Sequence, residues 1–170
     1  MKNLLTLFVV LAVAIPFMAP RADAQFTFIP YAGYDLEFEA LFVGAAVEFA
    51  LPVAGFPVGL AIRPGAEYYF LESNDFFNQS LFQINGDVVA ELMPDGPIGV
   101  YAGAGLAIGF FSFDTDFGFG EINGSDTELG LNLFGGAEFG TGFAVPFAQI
   151  RLTTPGTTRI QLMGGVKLSL

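Results

Sequence analysis

Beyond residue 24 the chain keeps four basic residues, Arg63, Arg151, Arg159 and Lys167, and all lie on one side of alternating, strand-like segments whose other side is uncharged. Between Val58 and Phe70, the set Val58, Leu60, Ile62, Pro64, Ala66, Tyr68 and Phe70 alternates with Gly59, Ala61, Arg63, Gly65, Glu67 and Tyr69. Side chains on a strand point to opposite faces with a period of two, so the two sets meet different surroundings. The last segment repeats the arrangement, with Arg159, Gln161, Met163, Gly165, Lys167 and Ser169 set against Ile160, Leu162, Gly164, Val166, Leu168 and Leu170. A charge-free face beside a polar one predicts a barrel whose outside meets lipid and whose inside is polar.

The first 24 residues read as a targeting segment. Lys2 opens it, an apolar run from Leu4 to Met18 broken by Pro16 follows, and Ala22-Asp23-Ala24 supplies a small-x-small cleavage pattern. The expectation is a cleaved signal peptide over residues 1–24 and one exported domain over residues 25–170. Without Lys2, Arg21 and Asp23, four of the 6 basic and sixteen of the 17 acidic residues remain. That balance disfavours nucleic acid as a partner. The absence of Cys leaves no disulfides to hold an exported chain, which suits a fold secured by complete backbone pairing. No apolar run past residue 24 reaches the length of a spanning helix, so a membrane would be crossed by strands.

Eight strands are predicted: Phe26 to Tyr34, Phe38 to Leu51, Pro57 to Leu71, Gln79 to Met93, Ile98 to Phe113, Thr127 to Phe139, Val145 to Thr153 and Thr157 to Leu170. Gly/Pro turns at Pro52–Phe56, Pro94–Pro97 and Gly140–Gly142 alternate with longer acidic connections at Glu72–Asn78 and Asp114–Asp126. The class that follows is all-β, an eight-stranded antiparallel up-and-down transmembrane barrel. Its polar face gathers Glu48, Glu67, Asp87, Glu91, Glu128 and Glu138 with Arg63, Arg151, Arg159 and Lys167. These ten are expected to form a charge network in the lumen, each base satisfied by Glu48, Glu67, Glu128 or Glu138. Glycines at 44, 59, 65, 99, 103, 105, 109, 130 and 136 share that face, as a crowded interior requires. Phe and Tyr near strand ends, among them Phe49, Tyr68, Phe70, Phe82, Phe110, Phe139 and Phe143, supply candidate interfacial girdles.

With these features the chain resembles the small bacterial outer-membrane barrels of the OmpA and OmpX type over Gln25 to Leu170. The terminal stretch Met163 to Leu170 is similar to the assembly signal such barrels present to the insertion machinery, with Gly165, Leu168 and Leu170 at its key places. It departs in carrying leucines at 168 and 170 where the family prefers aromatics. The resemblance implies a monomer, embedded in outer-membrane lipid, whose lumen is filled by hydrogen-bonded and charged side chains. The family's roles range from envelope integrity to adhesion.

No His and no Cys are present, which removes the usual nucleophile-base pairs and most transition-metal sites. Asp87 and Glu91 share a face, but lumen ion pairing explains them better than acid-base catalysis. The acidic run from Asp114 to Asp126 lacks the ligand spacing of an EF-hand loop. The expected function is therefore non-enzymatic, structural or surface-interacting, with no cofactor and no metal. Two alternatives stay open: a narrow pore or carrier of small hydrophobic molecules, and a secreted soluble lipocalin-like binder with its apolar face inward.

Overall fold

The computed structural model describes residues 26–53, 55, 58–71, 77–93, 97–116, 121–154 and 158–170. The expected targeting segment lies outside these residues, as do most of the Glu72–Asn78 connection and the tips of the other long loops. Eight strands follow one another: β1 (Phe26–Asp35), β2 (Ala40–Leu51), β3 (Gly59–Phe70), β4 (Phe77–Met93), β5 (Ile98–Asp116), β6 (Glu121–Phe139), β7 (Ala144–Thr153) and β8 (Arg159–Ser169). Each pairs antiparallel with its neighbours, and β1 closes on β8 to complete a barrel. Closure satisfies the backbone without leaving an edge in the barrel wall, the condition for crossing lipid with strands.

The alternation in sequence becomes the two faces of the wall. On β3, Ala61, Arg63, Glu67 and Tyr69 are buried, while Ile62, Pro64, Tyr68 and Phe70 are exposed. On β8, Arg159, Gln161, Met163 and Lys167 are buried and Ile160, Leu162 and Gly164 exposed. Leu129, Leu131 and Leu133 of β6 are 69%, 61% and 60% exposed, a disposition that water would penalise and lipid would not. Aromatic side chains rim this apolar band, with Tyr68, Phe70, Phe82 and Phe110 towards the long-loop end and Phe49, Phe139 and Phe143 at the tight-turn end.

Register sets the stagger. From Tyr31 the paired positions run through Gly44, Glu67, Gln83 and Gly109 to Glu128. In the other direction they run through Gly165 and Phe147 to Glu138. The ten positions between Glu128 and Glu138 are the shear of the barrel, and such a shear goes with strands tilted by roughly 35–45°.

Two expectations about connections need correction. The acidic stretch read as a loop from Asp114 to Asp126 is mostly strand, since β5 and β6 remain paired as far as Asp116 opposite Glu121. Likewise β4 starts at Phe77, inside the expected Glu72–Asn78 connection. Polar residues hide a strand from a hydrophobicity pattern once it rises beyond the apolar band. The reverse error occurs at Phe38, placed in the second strand but found in the turn before β2. There the amides of Glu37 and Phe38 both donate to Asp35 Oδ1 at 3.1 Å, and Glu39 adopts a positive φ of 49°.

Candidate functional site

The lumen holds all four bases beyond residue 24 with the acids that pair with them, arranged in two groups. Towards the tight-turn end, the Arg63 guanidinium donates to Glu48 Oε2 through Nε at 2.8 Å and also through its terminal nitrogen. Lys167 Nζ lies 2.9 Å from the other Glu48 oxygen and 2.6 Å from Glu138. Arg63 and Tyr101 both donate to Gln149 Oε1, at 3.2 and 3.0 Å.

Nearer the long-loop end, Glu67 sits at the centre. It accepts from the Tyr31 and Tyr69 hydroxyls, each at 2.9 Å, from Gln83 at 3.3 Å, and from Arg151. Arg151 also faces Asp87 at 3.4 Å, and Asn132 donates to Asp87 at 3.0 Å. Arg159 pairs with Asp35 at 3.3 Å and donates to Gln83 Oε1. Rings line the remaining sides of the cations: Arg63 and Arg151 lie 5.8 and 5.6 Å from the Phe134 centroid, and Arg159 lies 4.8 Å from that of Phe38. Every base is at most 5% exposed, so each charge must be satisfied here.

Eight of the ten expected network residues come together in these pairs: Glu48, Arg63, Glu67, Asp87, Glu138, Arg151, Arg159 and Lys167. Glu91 and Glu128 stand apart. Glu91 is half-buried at the tight-turn mouth beside Gly59, without an ion pair among the described residues. Glu128 faces inward and is half-buried, also without one, because register lifts it past Asn132, the last β6 residue that pairs with β7. The expectation that Glu128 satisfies a base is therefore corrected.

The partner of Arg159 is Asp35, which the expected set lacked. Asp35 was read as turn, yet β1 runs one residue further and places it opposite Gln161, next to Arg159. Continued alternation, with Ile29, Tyr31, Gly33 and Asp35 all on odd positions, was the available signal. Of the neutral members, Tyr69 and Gln161 were placed on the inward face but not in the network, and Tyr31, Gln83, Asn85, Tyr101, Asn132, Gln149 and Thr153 were missed; all nine are buried in the lumen.

Space in the lumen is small. A cavity of about 10 Å³ lies between Tyr31, Arg63, Asn85 and Arg151, enough for about one water molecule. Above it, Phe42, Tyr69 and Leu81 close the outer end, with Phe38, Leu71 and Phe111 packed against them. Of the expected assembly residues, Gly165 lies under Tyr31 and Phe147, Leu168 pairs with Phe28 and Ala144, and Leu170 donates its amide to Phe26 at 3.1 Å.

No protein-family model matches this chain, and no curated protein matches it significantly. Solved structures do. A major outer membrane protein from Thermus thermophilus superposes with a TM-score of 0.69 at 14% identity, over 88% of this chain and 100% of that one. Ail, the attachment invasion locus protein of Yersinia pestis, gives 0.63 at 13% identity with the same coverage, and has also been solved with the heparin analogue sucrose octasulfate. The outer membrane enzyme PagL gives 0.52 at 14% identity, over 85% of this chain and 99% of that one. At such identities the likeness is one of fold: an eight-stranded barrel of the outer-membrane kind, which serves more than one function.

Proposed function

We propose that the chain is an exported, non-enzymatic outer-membrane barrel that holds an acidic loop end at the cell surface, as an envelope component or a surface-interaction protein. One observation carries this reading: the exposed band is apolar on strand after strand, while all four bases lie buried and paired inside. A soluble carrier of lipocalin type needs these faces exchanged. Residues 1–24 direct export and are removed, residues 163–170 engage the assembly machinery, and the barrel stands in lipid as a monomer. Recovery in the membrane fraction, with a heat-modifiable gel shift in detergent, is the expected outcome. Recovery of the mature protein in a soluble periplasmic fraction would overturn it.

Catalysis finds little support in the lumen. Asp87 is taken by Arg151 and Asn132, and no His or Cys stands ready as a base or nucleophile. The pore reading is disfavoured by the stacked rings at the outer end and by a cavity of about 10 Å³, against the several hundred that small-ligand sites occupy. Planar-bilayer recordings are expected to show no conductance steps; regular steps would restore that reading. Ail binds a sulfated polyanion in one of its crystals. Here every base beyond residue 24 is inside the barrel, so surface interactions of this chain favour cationic partners.

A further inference from the structure

Two rows of side chains continue the outward face above the apolar band at the long-loop end. In the first, register sets Tyr68 beside Phe82, Phe82 beside Phe110 and Phe110 beside Thr127, across β3 to β6. In the second, further out, Ser80 stands beside Ser112 and Ser112 beside Ser125. Ile84, Ile108 and Leu129 form the row below, all exposed, so alternation carries both upper rows on the same outward face. Tyr68 and Phe110 each keep 39% of their surface open, and the Phe82 and Phe110 rings stack at 6.2 Å. Ser112, Ser125 and Thr127 are exposed. With strands tilted by roughly 35–45°, two residues rise about 5 Å along the barrel axis, so the serine row stands at headgroup level above the rings.

Charge decides what such a face can meet. Proteins hold phosphate-bearing headgroups with lysine and arginine, and here every base beyond residue 24 is inside the barrel and at most 5% exposed. By register the next charges outward on this face are Asp114, Asp116 and Glu121, acids that repel phosphate. The rows themselves offer only rings and hydroxyls. A sugar presents the complement of both: C–H groups that pack on an aromatic ring, and hydroxyls that exchange hydrogen bonds with serine and threonine.

We infer that these two rows bind the uncharged sugar headgroups of lipids in the surrounding bilayer, in preference to phosphate-bearing headgroups. The inference rests on the reading of the exposed wall as lipid-facing, and names the lipid. Continuity with the apolar band fixes the source: a lipid whose acyl chains lie along Ile84, Ile108 and Leu129 brings its headgroup to the rings and serines above them. The aromatic row packs under the sugar, and the serine row reaches its hydroxyls.

The test reconstitutes the detergent-solubilised protein into nanodiscs of equal parts phosphatidylcholine, phosphatidylglycerol and diglucosyldiacylglycerol, then identifies the lipids it retains by native mass spectrometry. Expected is enrichment of the glycolipid by roughly fivefold over its share of the disc, equivalent to about 1 kcal/mol, the size of one net neutral hydrogen bond. Ser80→Val, Ser112→Val and Ser125→Val together should return it to that share while the heat-modifiable barrel persists, because valine suits an exposed strand position. Ser112→Lys should instead draw in phosphatidylglycerol. Lipids retained in disc proportion, phosphatidylglycerol enriched by the unaltered protein, or glycolipid enrichment that survives the triple substitution would overturn the inference and leave the outer-membrane reading intact. Retention of no lipid at all would overturn both. Displacement of the glycolipid by free maltose would assign the face to soluble sugar instead.

Discussion

The Tyr31 hydroxyl donates to Glu67 at 2.9 Å by passing over Gly44, the residue that separates them in register on β2. A Cβ on Gly44 would lie 2.6 Å from the Tyr31 ring. The same device recurs when Tyr101 crosses Gly136 to reach Gln149, with a Gly136 Cβ 2.5 Å from the ring. In both, a tyrosine on one strand, a glycine on the next and a polar acceptor on the third make one unit of lumen packing.

Gly44→Ala should therefore displace Tyr31 and cost more than the lost hydrogen bond. Tyr31→Phe, which removes the bond to a charged acceptor while keeping the ring, is expected to cost about 1.5–3 kcal/mol. Gly44→Ala adds overpacking of about 1–3 kcal/mol. Urea unfolding in detergent or bilayers compares them, and a Gly44→Ala effect below that of Tyr31→Phe would contradict the crossing.

Arg159→Gln leaves the Asp35 carboxylate without its cation. Removing one partner of a buried pair costs about 3–5 kcal/mol, and the lower end applies because Gln161 and the amides of Glu37 and Phe38 still donate to Asp35. Asp35→Asn combined with Arg159→Gln should recover part of that loss in a double-mutant cycle. Additive losses would show that the pair is not coupled.

Charge on the lipid face should be penalised by depth. Leu133 is exposed midway along the apolar run of β6, so Leu133→Arg is expected to cost about 2–4 kcal/mol. Ile160 lies one residue inside the start of β8, where the cost of Ile160→Arg falls to about 0–1 kcal/mol. Equal costs at the two sites, measured by unfolding in bilayers, would place the apolar band elsewhere.

The closing seam contains a removable defect. Pairing of β1 with β8 holds at Thr27–Ser169 and Phe28–Leu168, lapses, and resumes at Tyr31–Gly165, which sets Pro30 opposite Val166 in the gap. The Leu170 amide donates to Phe26, so alternation turns the Pro30 nitrogen towards β8, where it has no proton to give. Pro30→Val should restore a donor to the Val166 carbonyl and stabilise the barrel by about 1 kcal/mol. Slow hydrogen exchange at the new amide would accompany it; fast exchange would show the seam open regardless of sequence.

Much of the molecule was legible in its residues because the wall of a barrel has a strict period of two. Arg63 beside Ile62 and Arg159 beside Ile160 already separated lumen from lipid, and the turn residues fixed the number of strands. Strand ends were legible only within the apolar band. Beyond it Asp114 pairs with Asn123 and Asp126 with Phe111 through their backbones, which hydrophobicity does not report. The tertiary structure alone decided which charges meet. Closure with a shear of ten positions brings Asp35 to Arg159 across the first and last strands, and Arg151 to Glu67 across the lumen, while lifting Glu128 past the end of its β7 neighbour. Pairing of that kind depends on register summed around the whole ring, a quantity that no local pattern contains.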